Sequence, residues 1–231
     1  MVDVLAVASG GMDSSTLCYW LRDQQRLDLV VSVDYGQRHR RELDSAKIIA
    51  NHLGVEHLVV DLTALDAQLG GSALTDDIDV PHGHYAEDNM KITVVPNRNM
   101  IMLAAAGGIA VARGLSAVCT AVHAGDHFVY PDCRPAFIES CSQTLTVATD
   151  GFGSVAVEAP FVMMTKAEIA ALGDQLGVPW ADTWTCYEGG DVHCGRCATC
   201  VERIEAFAIA EVDDPTTYTD TEYWKEVVGH D

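Results

Sequence analysis

The chain has 231 residues, about one and a half times a common domain length of roughly 150. Hydrophobic residues are 48% and charged residues 21%. That excludes a disordered or collagen-like chain, and a chain this long buries roughly 70–75% of its unfolded surface without needing disulfides. Asp and Glu number 34 against 14 Lys and Arg, a net charge of −20. Such a surface repels phosphate backbones and argues against nucleic acid as a direct partner, although surface adaptation to salt or solubility explains the charge equally well.

Asp3–Ala8 (DVLAVA) predicts a first strand, broken at once by SGGMDSS, with a helix from about Ser14 to Gln25. Leu29–Val33 predicts a second strand. Glu42–Leu53 has helical spacing and is closed by Gly54. Glu56–Leu62 predicts a third strand, so the first sixty residues alternate strand and helix, the pattern of a parallel sheet with crossovers. Ser72–Asn97 has no period and reads as a long active-site loop. Arg98–Arg113 is apolar nearly all round, hence a buried helix. Ser116–Val122 is a fourth strand, Pro135–Thr149 a helix, Val155–Ala159 a short fifth strand, and Lys166–Leu176 a helix closed by Gly177. Val201–Glu211 is a last helix, and the acidic Asp213–Asp231 is expected to be peripheral. The expected organisation is an α/β domain over residues 1–181, a doubly wound parallel sheet, followed by a small cysteine lobe and tail over 182–231. MVDVLAVASGG has no basic region of a signal peptide, and the apolar run Met100 to Ala112 is too short to span a bilayer. The expectation is a cytoplasmic chain with no membrane contact.

Three constellations carry chemistry. In Ser9-Gly10-Gly11-Met12-Asp13-Ser14-Ser15, two glycines let the backbone turn so that N–H groups converge on one anion. The following helix adds its positive end, and the ligand best matched is a phosphate. Gly10 is expected to leave room for that phosphate, so that Gly10→Val blocks turnover and spares the fold. The pattern is neither a Walker loop nor a dinucleotide fingerprint. The second constellation is Cys186, Cys194, Cys197 and Cys200, spaced C-x7-C-x2-C-x2-C. Four thiolates suit tetrahedral zinc, and an iron–sulfur cluster accepts the same set. Cys18, Cys119, Cys133 and Cys141 are scattered and read as small core residues. The third is a set of polar and aromatic residues just past predicted strand ends: Asp34-Tyr35-Gly36-Gln37-Arg38-His39, Val95-Pro96-Asn97-Arg98-Asn99, Asp126-His127 with Tyr130-Pro131-Asp132-Cys133-Arg134, and Thr165-Lys166. Open α/β sheets bind ligands along that edge.

The SGGxDS loop resembles the PP-loop of ATP pyrophosphatases. With DYGQRH, VPNRN, YPDCR, TKAEI and the cysteine ending in the same order, residues 3–210 resemble the 7-cyano-7-deazaguanine synthase (QueC) family. The resemblance implies an adenine nucleotide alpha hydrolase-like fold with a structural Zn²⁺ lobe. It also implies a C–N bond-forming ligase that turns 7-carboxy-7-deazaguanine and ammonia into 7-cyano-7-deazaguanine (preQ0) at the expense of ATP with Mg²⁺. The PP-loop implies adenylation of a carboxylate and then of an amide. Ala8, Ser9, Gly10, Gly11, Met12, Asp13, Ser14 and Ser15 would hold ATP. Lys166, Arg38, Arg98 and Asp13 would be catalytic. Tyr35, Gln37, Arg98, Asn99, Tyr130 and Asp132 would hold the substrate. Cys186, Cys194, Cys197 and Cys200 would hold the metal. Around residues 72–90 the match is weakest, and Thr165 stands where many relatives carry Asp. The chain leaves no room for a glutaminase, so free ammonia is the expected nitrogen donor, and the resemblance implies a homodimer.

Three rivals remain open on sequence. A PP-loop tRNA-thiolating enzyme needs a persulfide or iron–sulfur cluster and a basic RNA surface. A QueC-like enzyme that attaches a deazaguanine to a macromolecule would use the same motifs. A non-catalytic zinc-ribbon interaction protein leaves SGGMDSS unexplained.

Overall fold

Strands buried on both faces need helices on both sides. The computed structural model describes residues 3–66, 68, 70–84 and 88–229. Five parallel strands, β1 (Val4–Val7), β2 (Leu27–Asp34), β3 (Glu56–Asp61), β4 (Ala117–Cys119) and β5 (Ala156–Glu158), lie in the order β3-β2-β1-β4-β5. Between and after them come helices α1 (Met12–Asp23), α2 (Arg41–Leu53), α3 (Thr63–Asp66), α4 (Arg98–Arg113), α5 (Pro135–Ala148), α6 (Lys166–Gln175), α7 (Ala198–Ala210) and α8 (Tyr223–Val228).

Successive strand residues face opposite sides. Leu5, Val7, Leu29, Val31 and Val118 meet Leu103, Ala106 and Ala110 of α4 and Ile138 and Cys141 of α5. Val4, Ala6, Val30, Ala117 and Cys119 meet Leu17 and Leu21 of α1, Ile49 of α2 and Ile169 of α6. The expected doubly wound sheet is the observed one. The stretch Met90–Arg113 is, by length and composition alone, apolar enough to cross a membrane, longer than the run read from sequence. In the fold one side of α4, with Leu103, Ala106, Gly107 and Ala110, is buried and the rest is half-buried or exposed, so the helix is not buried all round as expected. A methyl on Gly107 would meet Leu145 Cδ1 at 2.5 Å, so the absence of a side chain sets how closely α4 and α5 approach.

Two expectations need correction. Among the described residues, none of the long segment before α4 lines the candidate site. Its residues 85–87 lie outside the described ones, and part of the rest packs beside the cysteine lobe: His82 bridges to Cys197, and the Gly83 N–H donates to the Arg196 carbonyl at 3.4 Å. The acidic tail is not merely peripheral either. Asp214 pairs with Arg203 at 3.0 Å, and Arg203 is wholly buried. The Tyr218 hydroxyl donates to Asp214 at 2.6 Å, and the Thr219 and Asp220 N–H groups donate to the His193 and Cys194 carbonyls at 2.8 and 3.1 Å. The tail straps the lobe because a buried guanidinium must have a carboxylate, and only Asp214 supplies one among the described residues. Burial raises the Asp214 carboxyl, and the Arg203 guanidinium overrides it and holds it below the usual range.

Candidate active site

The strand order reverses between β1 and β4, and the crevice expected at such a switch point is present. Ala8 and Ser9 after β1, Tyr35 after β2, and Thr120 to His123 after β4 line a cleft of about 1120 Å³ of empty space, which includes open solvent. Gly11, Met12, Asp13 and Ser14 form one wall.

This wall is the start of α1. Gly11 is the N-cap and makes no side-chain cap, so the first N–H groups of the helix face the cleft side unserved by any side chain. The serines brace the turn. Gly10 N–H donates to Ser14 Oγ at 3.2 Å, Gly11 N–H donates to Ser9 Oγ at 3.3 Å, and Ser14 Oγ donates to the Gly11 carbonyl at 3.3 Å. The arrangement offers a helix end to an anion. Gly10 serves another purpose than expected. It has φ +86°, and a Cβ there would lie 2.4 Å from both Ala46 N and Glu42 O of α2. Its bareness lets the loop touch α2 rather than a ligand. Ser15 is fully buried and outside the cleft lining.

Asp13 Oδ2 lies 3.2 Å from Lys166 Nζ, and Asp13 Oδ1 is buried with no hydrogen-bond partner. Thr165 starts α6 with a capping box, accepting from the Glu168 N–H at 3.2 Å while the Glu168 carboxylate accepts the Thr165 N–H at 2.7 Å. Threonine therefore does locally what an aspartate cap would do, and Lys166 stays at the first helical position. Burial opposes the Lys166 charge, but Asp13, Glu202 and Asp126 together outweigh it and hold the ammonium well above its ordinary pKa.

On the opposite side Arg98 donates to Tyr35 Oη at 3.2 Å and lies 5.5 Å from the Tyr35 ring centre. Among the described residues no carboxylate pairs with Arg98. Burial pushes the Tyr35 hydroxyl up to about 12, so it remains a neutral phenol. Asn99 and Tyr130 also line the cleft, and Tyr130 Oη lies 2.7 Å from Thr93 Oγ1.

Besides Gly10 and Ser15, three expected site residues do not line it. Arg38 turns outward and donates to the Ile78 carbonyl at 2.6 Å. Gln37 is consumed by the turn after β2: it accepts from the Tyr35 N–H at 2.9 Å and donates to Glu42 Oε1 at 2.9 Å. Asp132 accepts the Asn99 N–H at 3.1 Å, capping α4 from outside, because Asn97 at the N-cap is left-handed and supplies no side-chain cap.

The four cysteine Sγ atoms lie within 4.8 Å of one another. A tetrahedron with metal–sulfur bonds of about 2.3 Å puts the sulfurs about 3.8 Å apart, so the set fits one metal ion. Backbone N–H groups of Arg196 and Cys197 donate to Cys194 Sγ at 3.3 and 3.2 Å, and that of Cys194 donates to Cys186 Sγ at 3.3 Å. Such donors favour thiolates. Cys18, Cys119, Cys133 and Cys141 are buried apart from this set, as expected of core residues. Trp184 ties the lobe to the loop: its backbone N–H donates to the Gly10 carbonyl at 2.9 Å.

A family model described as "Queuosine biosynthesis protein QueC" matches residues 3–211. The chain belongs to the QueC family. It is 54% identical over 224 residues to a 7-cyano-7-deazaguanine synthase of Brucella anthropi, covering 97% of each chain. It is 56% identical over 220 residues to one of Rhizobium rhizogenes, covering 95% of this chain and 93% of that one. Among solved structures it is similar to NMN synthetase from Francisella tularensis, with TM-score 0.51 and 13% identity over 99% of this chain and 78% of that one. That likeness bears on the fold alone.

Several QueC cleft residues carry no sequence signal beyond their place in a motif or helix. His123 is buried, and its Nδ1 accepts the Gly125 N–H at 3.1 Å, which leaves the proton on Nε2, 3.6 Å from Asp126 and 3.9 Å from Asp13. Glu42 lies 3.3 Å from His39. Trp184, Tyr187 and Thr199 reach the cleft from the C-terminal lobe. Glu202 reaches Lys166 from α7 at 2.7 Å. On a helical wheel of α7 Glu202 falls between Ala198, Ala206 and Ile209, and only the docking of α7 brings it to α6.

Proposed function

We propose that the protein is a 7-cyano-7-deazaguanine synthase, a C–N bond-forming ligase that converts 7-carboxy-7-deazaguanine and ammonia to preQ0 with ATP. The observation that carries the reading is one cleft with two anion receptors: the uncapped start of α1 for a polyphosphate, and the carboxylate-free Arg98 for an acid. A carboxylate is a poor electrophile, so its oxygen attacks the α-phosphorus, releasing pyrophosphate. Ammonia displaces AMP and loses a proton, giving the amide. The amide oxygen is adenylated in the same way, and loss of AMP with the nitrogen's protons leaves C≡N. Ser9, Gly11, Met12, Asp13 and Ser14 receive the pyrophosphate, and Lys166 faces charge growing there. Asp13 Oδ1, buried without a partner, fits Mg²⁺, which supplies charge neutralisation to the phosphates. Zn²⁺ in the four-cysteine site is structural, because four cysteine sulfurs fill all four positions of a tetrahedron.

Label decides the mechanism. With ¹⁸O in the substrate carboxylate, mass spectrometry should find both labelled oxygens in AMP. Label in inorganic phosphate, with no AMP formed, overturns the adenylation route. Arg98→Ala should raise KM for the carboxylate substrate roughly 10–100-fold, the loss of a hydrogen bond to a charged group, and leave KM for ATP within about twofold. An equal rise in both would remove Arg98 from the acid's subsite.

The −20 charge supports small molecules rather than nucleic acid as ligands, and the reading includes a cytoplasmic location. A homodimer completes the reading, and sedimentation velocity tests it.

A further inference from the structure

Among the described residues Lys166 makes two ion pairs. Its Nζ lies 2.7 Å from Glu202 Oε2 and 3.2 Å from Asp13 Oδ2, with the shorter contact to Glu202. The two carboxylates come from different helices. Asp13 sits in the first turn of α1, inside the phosphate loop. Glu202 sits in α7, whose N-cap is Cys197 and whose first turn holds Cys200. The Glu202 side chain is 12% exposed. It also stands against the turn after β4, since a Cβ on Gly125 would lie 3.3 Å from Glu202 Oε1. Glu202 is thus fixed by the packing of α7 on α6 and by the turn at Gly125 before it meets the lysine.

A lysine on a flexible stem held only by Asp13 would fold onto that carboxylate and cover it. A second, closer acceptor on another element keeps the ammonium at Asp13 Oδ2, and Asp13 Oδ1 is left without a hydrogen-bond partner. Three carboxylates, Asp13, Glu202 and Asp126, then act on one ammonium. The local balance is negative, so Glu202 cannot serve to attract a polyphosphate. Its gain lies in where it holds the lysine.

We propose that Glu202 is a positioning residue for the ATP-dependent step: it anchors Lys166 from the cysteine lobe, so that docking of that lobe sets the geometry of the phosphate loop. The proposal rests on the reading of the cleft as the ATP site with Lys166 facing the reacting phosphate.

The roles separate in a KM-against-kcat comparison of full-length, metal-loaded variants. Glu202→Gln keeps the shape and removes a negative charge beside the phosphates. It should lower kcat about tenfold or more, with KM for ATP unchanged or lower, as loss of a contact made in the transition state does. Glu202→Asp keeps the charge on a shorter stem and should recover part of kcat. Metal content by elemental analysis and the thermal midpoint should match the parent in both. Glu202→Gln with parental kcat, where Lys166→Ala loses activity, overturns the positioning role and leaves the ATP reading standing. Parental activity in Lys166→Ala as well overturns both. Lost metal or a raised KM for ATP in Glu202→Gln makes Glu202 a residue of lobe stability and overturns the proposal too.

Discussion

Cys197→Ser is expected to empty the four-cysteine site and unfold the C-terminal lobe. Cys197 is fully buried, is the N-cap of α7, donates its N–H to Cys194 Sγ and pairs with His82. A serine hydroxyl does not replace a thiolate ligand. Binding of a structural Zn²⁺ by four thiolates is worth about 10–16 kcal/mol, comparable with the whole stability of an ordinary domain, about 5–15 kcal/mol. The effect spreads because α7 is part of the main core: Ala206 and Phe207 pack with Trp180, Val178, Ala170 and Met12 of the phosphate loop. If only about 5 kcal/mol of the metal's contribution is lost, the thermal midpoint should still fall by at least roughly 10 °C for a chain of this size. Elemental analysis and a calorimetric melt check it. A full complement of metal with a parental midpoint would show that Cys197 is not a ligand, and stoichiometric iron in the parent would replace zinc in the assignment.

Gly10→Ala is expected to damage the fold, whereas Gly11→Ala should damage turnover. The sequence suggests the same reason for both glycines, access of a phosphate to the backbone. The structure separates them. A Cβ on Gly10 would meet two α2 backbone atoms at 2.4 Å and Ser45 Cβ at 2.8 Å, at a φ of +86° that L residues rarely adopt. Backbone atoms of a packed helix do not yield as a side-chain tip does, so α2 must move off the loop. A loss of about 4 kcal/mol, at the upper end for single substitutions, corresponds to roughly 8–16 °C in the midpoint. Gly11 has φ −74°, and its added Cβ would touch Ser9 Oγ and Trp184 O at 3.4 Å, an ordinary contact. That methyl stands at the cleft wall, where the helix end meets its ligand. Circular dichroism melts and ATP turnover on the two variants form the test. The assignment of Gly10 to packing fails if Gly10→Ala melts with the parent.

The helices show where the sequence was readable. α2, α4 and α6 begin and end within a residue or so of the expected bounds, because Gly54, Gly114 and Gly177 at their ends adopt positive φ and stop them. α7 begins three residues earlier than expected, at Ala198 rather than Val201. Its N-cap Cys197 and its third residue Cys200 belong with the cysteine set, and a metal-binding turn hides the start of a helix from a hydrophobic pattern. β4 is shorter than its apolar run for a related reason. Residues after Cys119 leave the sheet to line the cleft, and their apolar character suits a ligand wall as well as a strand.

Local chemistry in the sequence determined the parallel sheet, the phosphate loop, the cysteine set and the family, because glycine turns, strand alternation and close cysteine spacing express themselves over a few residues. What each motif residue does was decided only by the tertiary structure. Arg38, Gln37 and Asp132 stand in the expected motifs, yet one faces outward and two serve the backbone of neighbouring segments. Glu202 and His123 stand in no expected site, yet they meet Asp13 and Lys166. The physical reason is the reach of the interaction. The Thr165 cap is satisfied within three residues, whereas a buried ammonium must find a carboxylate wherever packing brings one, here Glu202, 36 residues away along the chain.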